Sequence, residues 1–185
     1  MKRSERLVDM TKYLMERPHT LIALPFFAKR YGAAKSSISE DLAILKHTLA
    51  SNQDGVLETV AGAAGGVRYI PFLGQKHAEK YLSDLSSRIE DPSRILAGGF
   101  VYLSDILGDT QDLRRIGELI ATRYAYEDVD AVMTVETKGI ALAQAIARYL
   151  NVPFVTARKR SKVTEGATVS VNYISSSLSR VSKME

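Results

Sequence analysis

Apolar residues recur at helical spacing from the start of the chain. Leu7, Met10 or Thr11, and Leu14 share one stripe of a helix that Ser4 can cap, running to about Arg17, where Pro18 ends it. Pro25 fits the first turn of a short second helix to Tyr31, with Phe26 and Phe27 as anchors and Gly32 as its C′ residue. The third helix is the best marked. Ile38, Leu42, Leu45 and Leu49 recur at i, i+4, i+7 and i+11, and Ser37 with Glu40 reads as a capping box. Glu40 and Asp41 suit the positive end of its dipole. The opposite face, Ser36, Ser39, Glu40, Ala43 and His47, is small and polar, so it can approach another surface closely. Val56 to Val60 and Val67 to Phe72 then flank Ala61 to Gly66, which predicts a hairpin with a glycine-rich tip.

Three helices followed by a hairpin is the order of a winged helix-turn-helix, in which the third helix enters the major groove and the wing reaches the neighbouring backbone. Lys35, Ser36, Ser37 and Ser39 cluster where free N–H groups at a helix N-terminus favour phosphate. Lys2, Arg3 and Arg6 in the first helix and Arg68 in the wing are candidate phosphate contacts, which supply affinity without sequence information. A winged domain that binds protein is the competing reading.

From Gln75 to Glu90 a connecting helix is expected, broken by Asp91-Pro92-Ser93, and then the pattern turns α/β. Phe100 to Leu103 reads as a short strand. Thr110 to about Tyr126 reads as a helix burying Leu113, Ile116, Ile120 and Tyr124. Ala131 to Val135 is a continuous apolar run, as expected of a strand covered on both faces. The loop Glu136 to Gly139, an alanine-rich helix Ile140 to Leu150 capped by Asn151, and a strand Val152 to Ala157 complete a right-handed βαβ unit. Such units hold ligands at the carboxyl ends of their strands, where the loop amides and Lys138 suit a phosphate or pyrophosphate. Ser161 to Ser182 is polar and serine-rich, with strand alternation over Val169 to Ile174, and reads either as a flap over a site or as a frayed end.

Composition narrows the chemistry. The 185 residues, 45% hydrophobic and 25% charged, are ordinary for a globular protein. With no cysteine there is no disulfide framework, zinc finger or thiol nucleophile, and His19, His47 and His77 are too scattered to suggest a metal site. No catalytic constellation emerges, and the acidic pairs fit helix ends. No apolar run would span a bilayer and the N-terminus lacks a signal-peptide core, so a reduced, cytoplasmic protein is expected. The net charge is +4: residues 1–74 carry 10 basic and 7 acidic residues (+3), and residues 75–185 carry 15 and 14 (+1).

As a set, KSSISEDL (Lys35 to Leu42), GAAGGVRYIP (Gly62 to Pro71), RILAGGFVYLSDILG (Arg94 to Gly108), VMTVETKGIALA (Val132 to Ala143) and LNVPFVTARKRSKVTEGATVSVNYIS (Leu150 to Ser175) resemble the purine operon repressors of Gram-positive bacteria. The resemblance covers essentially the whole chain. It implies a homodimeric repressor of purine synthesis and transport genes: a winged-helix domain (residues 1–74) joined to a parallel-sheet phosphoribosyltransferase-type domain (residues 75–185) reused as a sensor rather than an enzyme. It implies double-stranded operator DNA as partner, no cofactor, and as effector phosphoribosyl pyrophosphate (PRPP), whose pocket a guanosine tetraphosphate can also occupy. By position, Thr137, Lys138 and Gly139 match the pyrophosphate loop, Phe100 an aromatic beside the base or ribose, and Lys162 to Tyr173, with Lys162, Thr164 and Tyr173, the flexible loop over the ligand. The family continues with another strand, two adjacent acids and a Gly-Gly-Thr loop that holds the ribose phosphate. That sequence is absent here, so an incomplete second domain lacking the acidic PRPP loop is expected. A phosphoribosyltransferase with an accessory domain is the alternative.

Overall fold

The computed structural model describes residues 1–62, 64–160, 166–175 and 180–185. It is a mixed α/β chain with a helical N-terminal region and a parallel strand pair, as the sequence pattern predicts. Helices α1 (Arg3–Met15), α2 (Leu24–Tyr31) and α3 (Lys35–Asn52) precede β1 (Val56–Val60) and β2 (Gly66–Ile70). The two strands pair antiparallel with Val56 opposite Ile70 and Val60 opposite Gly66. Ile22, between α1 and α2, exchanges backbone hydrogen bonds with Val67 (2.8 and 2.9 Å), adding a third strand-like contact to the hairpin. Met10, Leu14, Phe27, Ile38 and Leu57 are fully buried in one core, each contributing about 1.5–3 kcal/mol relative to exposure.

The helix starts differ from the sequence reading. Helix α3 begins at Lys35, because Gly32 takes a left-handed conformation (φ 59°) and Ala34 is extended, so the turn delivers the chain into helix two residues early. Ser37 therefore lies inside the helix and caps nothing, and no capping box with Glu40 forms. Ser4 is likewise inside α1, whose start is closed by the Glu5 carboxylate accepting from the Lys2 backbone N–H at 2.9 Å. Asp41 does not serve the dipole. Its side chain is completely buried and accepts hydrogen bonds from Arg3 Nε (2.9 Å) and Arg6 Nε, tying α1 to α3.

The second part comprises α4 (Gln75–Ile89), a 3₁₀ turn (Pro92–Arg94), α5 (Ser104–Gly108), α6 (Thr110–Arg123), β3 (Val132–Val135), α7 (Gly139–Leu150), β4 (Phe154–Ala157), β5 (Val171–Ser175) and β6 (Arg180–Met184). Strands β3 and β4 pair in parallel, with Val132 opposite Phe154 and α7 as the crossover. Strands β5 and β6 pair antiparallel, and Arg158 and Glu185 exchange backbone hydrogen bonds that join this hairpin to the end of β4.

Three expectations fail here. Phe100 to Leu103 is no strand: Gly98 and Gly99, both at positive φ, fold the chain back so that only Val101 bridges Ile95, and α5 follows at once. Strand β3 is covered on one face only, by α7, leaving Met133 73% and Val135 54% exposed. The buried positions of α6 are Asp112, Gly117, Glu118 and Ala121; Leu113, Ile116 and Ile120 are half-buried, and Tyr124 is exposed. Small residues let α6 lie close to α7, and a Cβ on Gly117 would meet the Ala145 backbone at 2.9 Å. Asp112 is held by a bidentate Arg88 (2.9 and 2.7 Å) and by Tyr81, which fixes α4 to α6. The two parts touch where Leu73 N–H donates to Thr122 Oγ1 (2.9 Å) and Asn151 Nδ2 to Thr20 Oγ1 (3.2 Å).

Burial opposes ionisation of Asp41, but hydrogen bonds from Arg6 and Arg3 outweigh it and hold its carboxyl below the usual range. The resulting stability is present above the unfolded value of about 4 and is lost as pH falls through the lower folded value. Asp41→Ala should cost about 3 kcal/mol, the lower end for a broken buried pair because Arg3 is half exposed, and should flatten part of the acid limb. Urea denaturation from pH 7 to pH 2 checks both outcomes.

Candidate nucleic-acid interface and anion loop

Helix α3 turns its small polar face outward. Ser36, Ser39, Ala43 and His47 are exposed and Ser37 is half-buried, over the buried Ile38, Leu42, Leu45 and Leu49. Ser39 Oγ donates back to the Lys35 carbonyl at 3.0 Å, which leaves its oxygen free to accept. The hairpin runs beside the helix, and a groove between them is lined by Ser39, Ala43, Lys46, Leu57, Thr59 and Val67.

The cations divide into two sets. Arg6 is only 12% exposed and committed to Asp41, so it holds the fold together and is not available to phosphate. Arg3, 52% exposed, binds the same carboxylate and reaches Glu40 at 3.5 Å. Arg68 sits directly opposite Glu58 across the hairpin and pairs with it, so the wing's arginine is already neutralised. Arg30 pairs with Asp9 at 3.0 Å. Lys2, Lys35, Lys29 and Lys46 are exposed and form no ion pair among the described residues. Two of these, Lys29 and Lys46, escaped the sequence reading. Lys46 was findable: Ser39, Ala43 and Lys46 follow at i, i+4 and i+7, which carries the small polar face to a cation at the groove edge.

The second candidate lies at the carboxyl end of β3. Thr137 and Lys138 are exposed and contiguous with Gly139, the first residue of α7. The Glu136–Thr137 peptide is cis. A Cβ at Gly139 would stand 2.1 Å from Thr134 Oγ1, so a larger residue there would force the Thr134 hydroxyl to move. Lys138 Nζ donates to Ser104 Oγ, which brings the start of α5 to the loop. Glu136 accepts from Arg158 Nη1 (3.2 Å) and the Lys159 N–H (3.1 Å), anchoring the loop to the end of β4. Phe100 is 71% exposed, its ring against Gly98. The segment bearing it is braced by a bidentate Arg94–Asp105 pair (2.8 and 2.7 Å), which draws the Asp105 carboxyl down to about 2. Tyr173 is half-buried on β5; Lys162 and Thr164 lie outside the described residues. Among the described residues no group of His, Asp and Glu could hold a metal ion, and no helix is long and apolar enough to cross a membrane.

Known proteins align with both parts. The family model of the bacterial purine repressor N-terminal region matches residues 2–71, and the phosphoribosyl transferase domain matches residues 104–185. The purine biosynthesis transcriptional repressor of Bacillus subtilis (strain 168) is 55% identical over 99% of this chain and 64% of its own length. The purine biosynthesis transcriptional activator of Lactococcus lactis subsp. lactis (strain IL1403) is 47% identical over 100% of this chain and 68% of its own. The chain thus spans roughly two thirds of these curated relatives. A xanthine phosphoribosyltransferase of Alkaliphilus metalliredigens (strain QYMF) is 35% identical over 40% of this chain and 39% of its own.

The crowding at Gly139 is testable by a double-mutant cycle. Gly139→Ala should lower stability by about 1–3 kcal/mol, and adding Thr134→Ala, which removes the clashing oxygen, should restore most of it. Thermal denaturation of the two single variants and the double variant measures the coupling.

Proposed function

The chain belongs to the bacterial purine repressor family, and from that membership we propose that it binds operator DNA and represses genes of purine synthesis and transport. Residues 1–74 form the DNA-binding domain and residues 75–185 the effector domain. One observation carries the reading: an outward face of small polar residues on α3, flanked by Lys35 and Lys46, which form no ion pair among the described residues, runs beside a glycine-tipped hairpin. The small residues let the helix seat in the major groove, and the lysines neutralise phosphates on either side.

The effector is an anionic phosphorylated metabolite, PRPP or a guanosine tetraphosphate, held at the start of α7. The exposed Thr137 and Lys138 at the beginning of that helix support this, and Phe100 is an exposed aromatic on the segment that leads to Ser104, the partner of Lys138. The protein works as a cytoplasmic homodimer without catalysis. Repression is the sign taken here because the 55% identical relative carries that name, although the Lactococcus protein is named an activator. An active phosphoribosyltransferase is the second reading, favoured by the partial match to the xanthine enzymes. Purine bases incubated with PRPP and magnesium decide it, since any turnover overturns the sensor reading.

DNA affinity, followed by fluorescence anisotropy, should fall steeply with salt. Lys35→Ala and Lys46→Ala should each weaken all duplexes alike and lower the salt slope by about one. PRPP should weaken binding of the unmodified chain. A flat salt dependence would overturn the proposal.

A further inference from the structure

Glu40 is out of place on a surface that meets phosphates. Its side chain is 69% exposed, on the same outward row of α3 as Ser36, Ala43 and His47, at i, i+4, i+7 and i+11 from Ser36. Because α3 follows an N-cap at Ala34 and the Ile38 N–H already donates to the Ala34 carbonyl (3.1 Å), the N–H groups without a helical partner belong to residues 34–37, and Glu40 stands beyond them. Neither a cap nor the dipole accounts for it. Its neighbours on the face, Ser36, Ser39 and Ala43, are short, so the carboxylate reaches farther outward than they do.

Resting on the DNA-binding reading above, we propose that Glu40 is a specificity-determining residue that reads a cytosine in the major groove. The chemistry singles out this base. Cytosine presents an N4 amino donor with no adjacent acceptor, whereas guanine presents two acceptors and thymine an acceptor and a methyl group. Adenine sets an N7 acceptor beside its amino group, which repels a carboxylate.

The structure also supplies the means for an acid to enter a groove lined with phosphate. Arg3 Nη2 lies 3.5 Å from Glu40 Oε2, and the same guanidinium is fixed from behind through its Nε, 2.9 Å from the buried Asp41. Arg3 thus offsets the charge of Glu40 and limits where its carboxylate points. Arg6 completes the balance, so that two arginines face two carboxylates.

Binding-site selection from a randomised duplex library, with the bound fraction sequenced, tests the assignment on the full chain. The unmodified protein should enrich a C·G pair at one position of its site. Glu40→Ala should cut that preference about tenfold while leaving the other positions unchanged. Glu40→Gln should move the preference at that position toward A·T, because an amide matches the N6 and N7 pattern of adenine. Glu79→Gln, on exposed α4, serves as a control and should return the original profile. If the two Glu40 variants also return it, or if they alter every position equally, the assignment is wrong and the DNA-binding reading stands. If the unmodified chain enriches nothing, both fall.

Discussion

The Asp41 carboxylate, buried between Arg3 and Arg6, ties the first helix to the third, and the placement of the candidate interface on α3 depends on it. A buried charge is tolerable only when paired and hydrogen-bonded, so the contact demands a defined register of α1 against α3. Beneath it, Met10, Leu14, Ile38 and Leu42 pack without exposure enough to slide. The outward face of α3 is therefore presented on a rigid support. The same pairing decides which cations remain for phosphate. Of the ten basic residues among positions 1–74, six are paired with acids, and Lys2, Lys29, Lys35 and Lys46 are left without an ion pair among the described residues. The excess charge of this half is modest, and two of these four lysines, Lys35 and Lys46, lie on α3 itself.

The second part joins the first through the hairpin. Tyr69 and Ile70 of β2 and the following Leu73 are buried, and Leu73 and Thr20 bond to α6 and to the end of α7. Helix α7 begins at Gly139, directly after the loop that follows β3, and its C-cap residue Asn151 touches Thr20. Through Asn151 and Thr20 the end of α7 meets the segment whose Ile22 bonds to Val67 of the hairpin.

Local features were legible in the sequence and long-range ones were not. The apolar stripes placed α1, α2, α3 and α7 within a few residues, and the glycine-rich tip marked the hairpin, because periodicity and turn chemistry act over short spans. The family resemblance also held. The start of α3 was misread because Ser37 and Glu40 match a capping pattern, whereas the left-handed Gly32 had already set the chain into helix at Lys35. The ion-pair partners of Arg3, Arg6 and Arg68 were not legible for a different reason. Their partners Asp41 and Glu58 are distant in sequence, and a linear reading sees only that both signs are present. In α6 the large residues looked like the buried face, but close approach to α7 needs the small ones, Gly117 and Ala121.

The claim that α3 and the hairpin form the nucleic-acid surface is tested most directly by amide chemical shifts of the labelled chain titrated with a duplex recovered by selection. The shifts should concentrate in residues 35–47 and at the hairpin tip. Shifts concentrated in α6, α7 and the β3–β4 pair, with α3 silent, would contradict it.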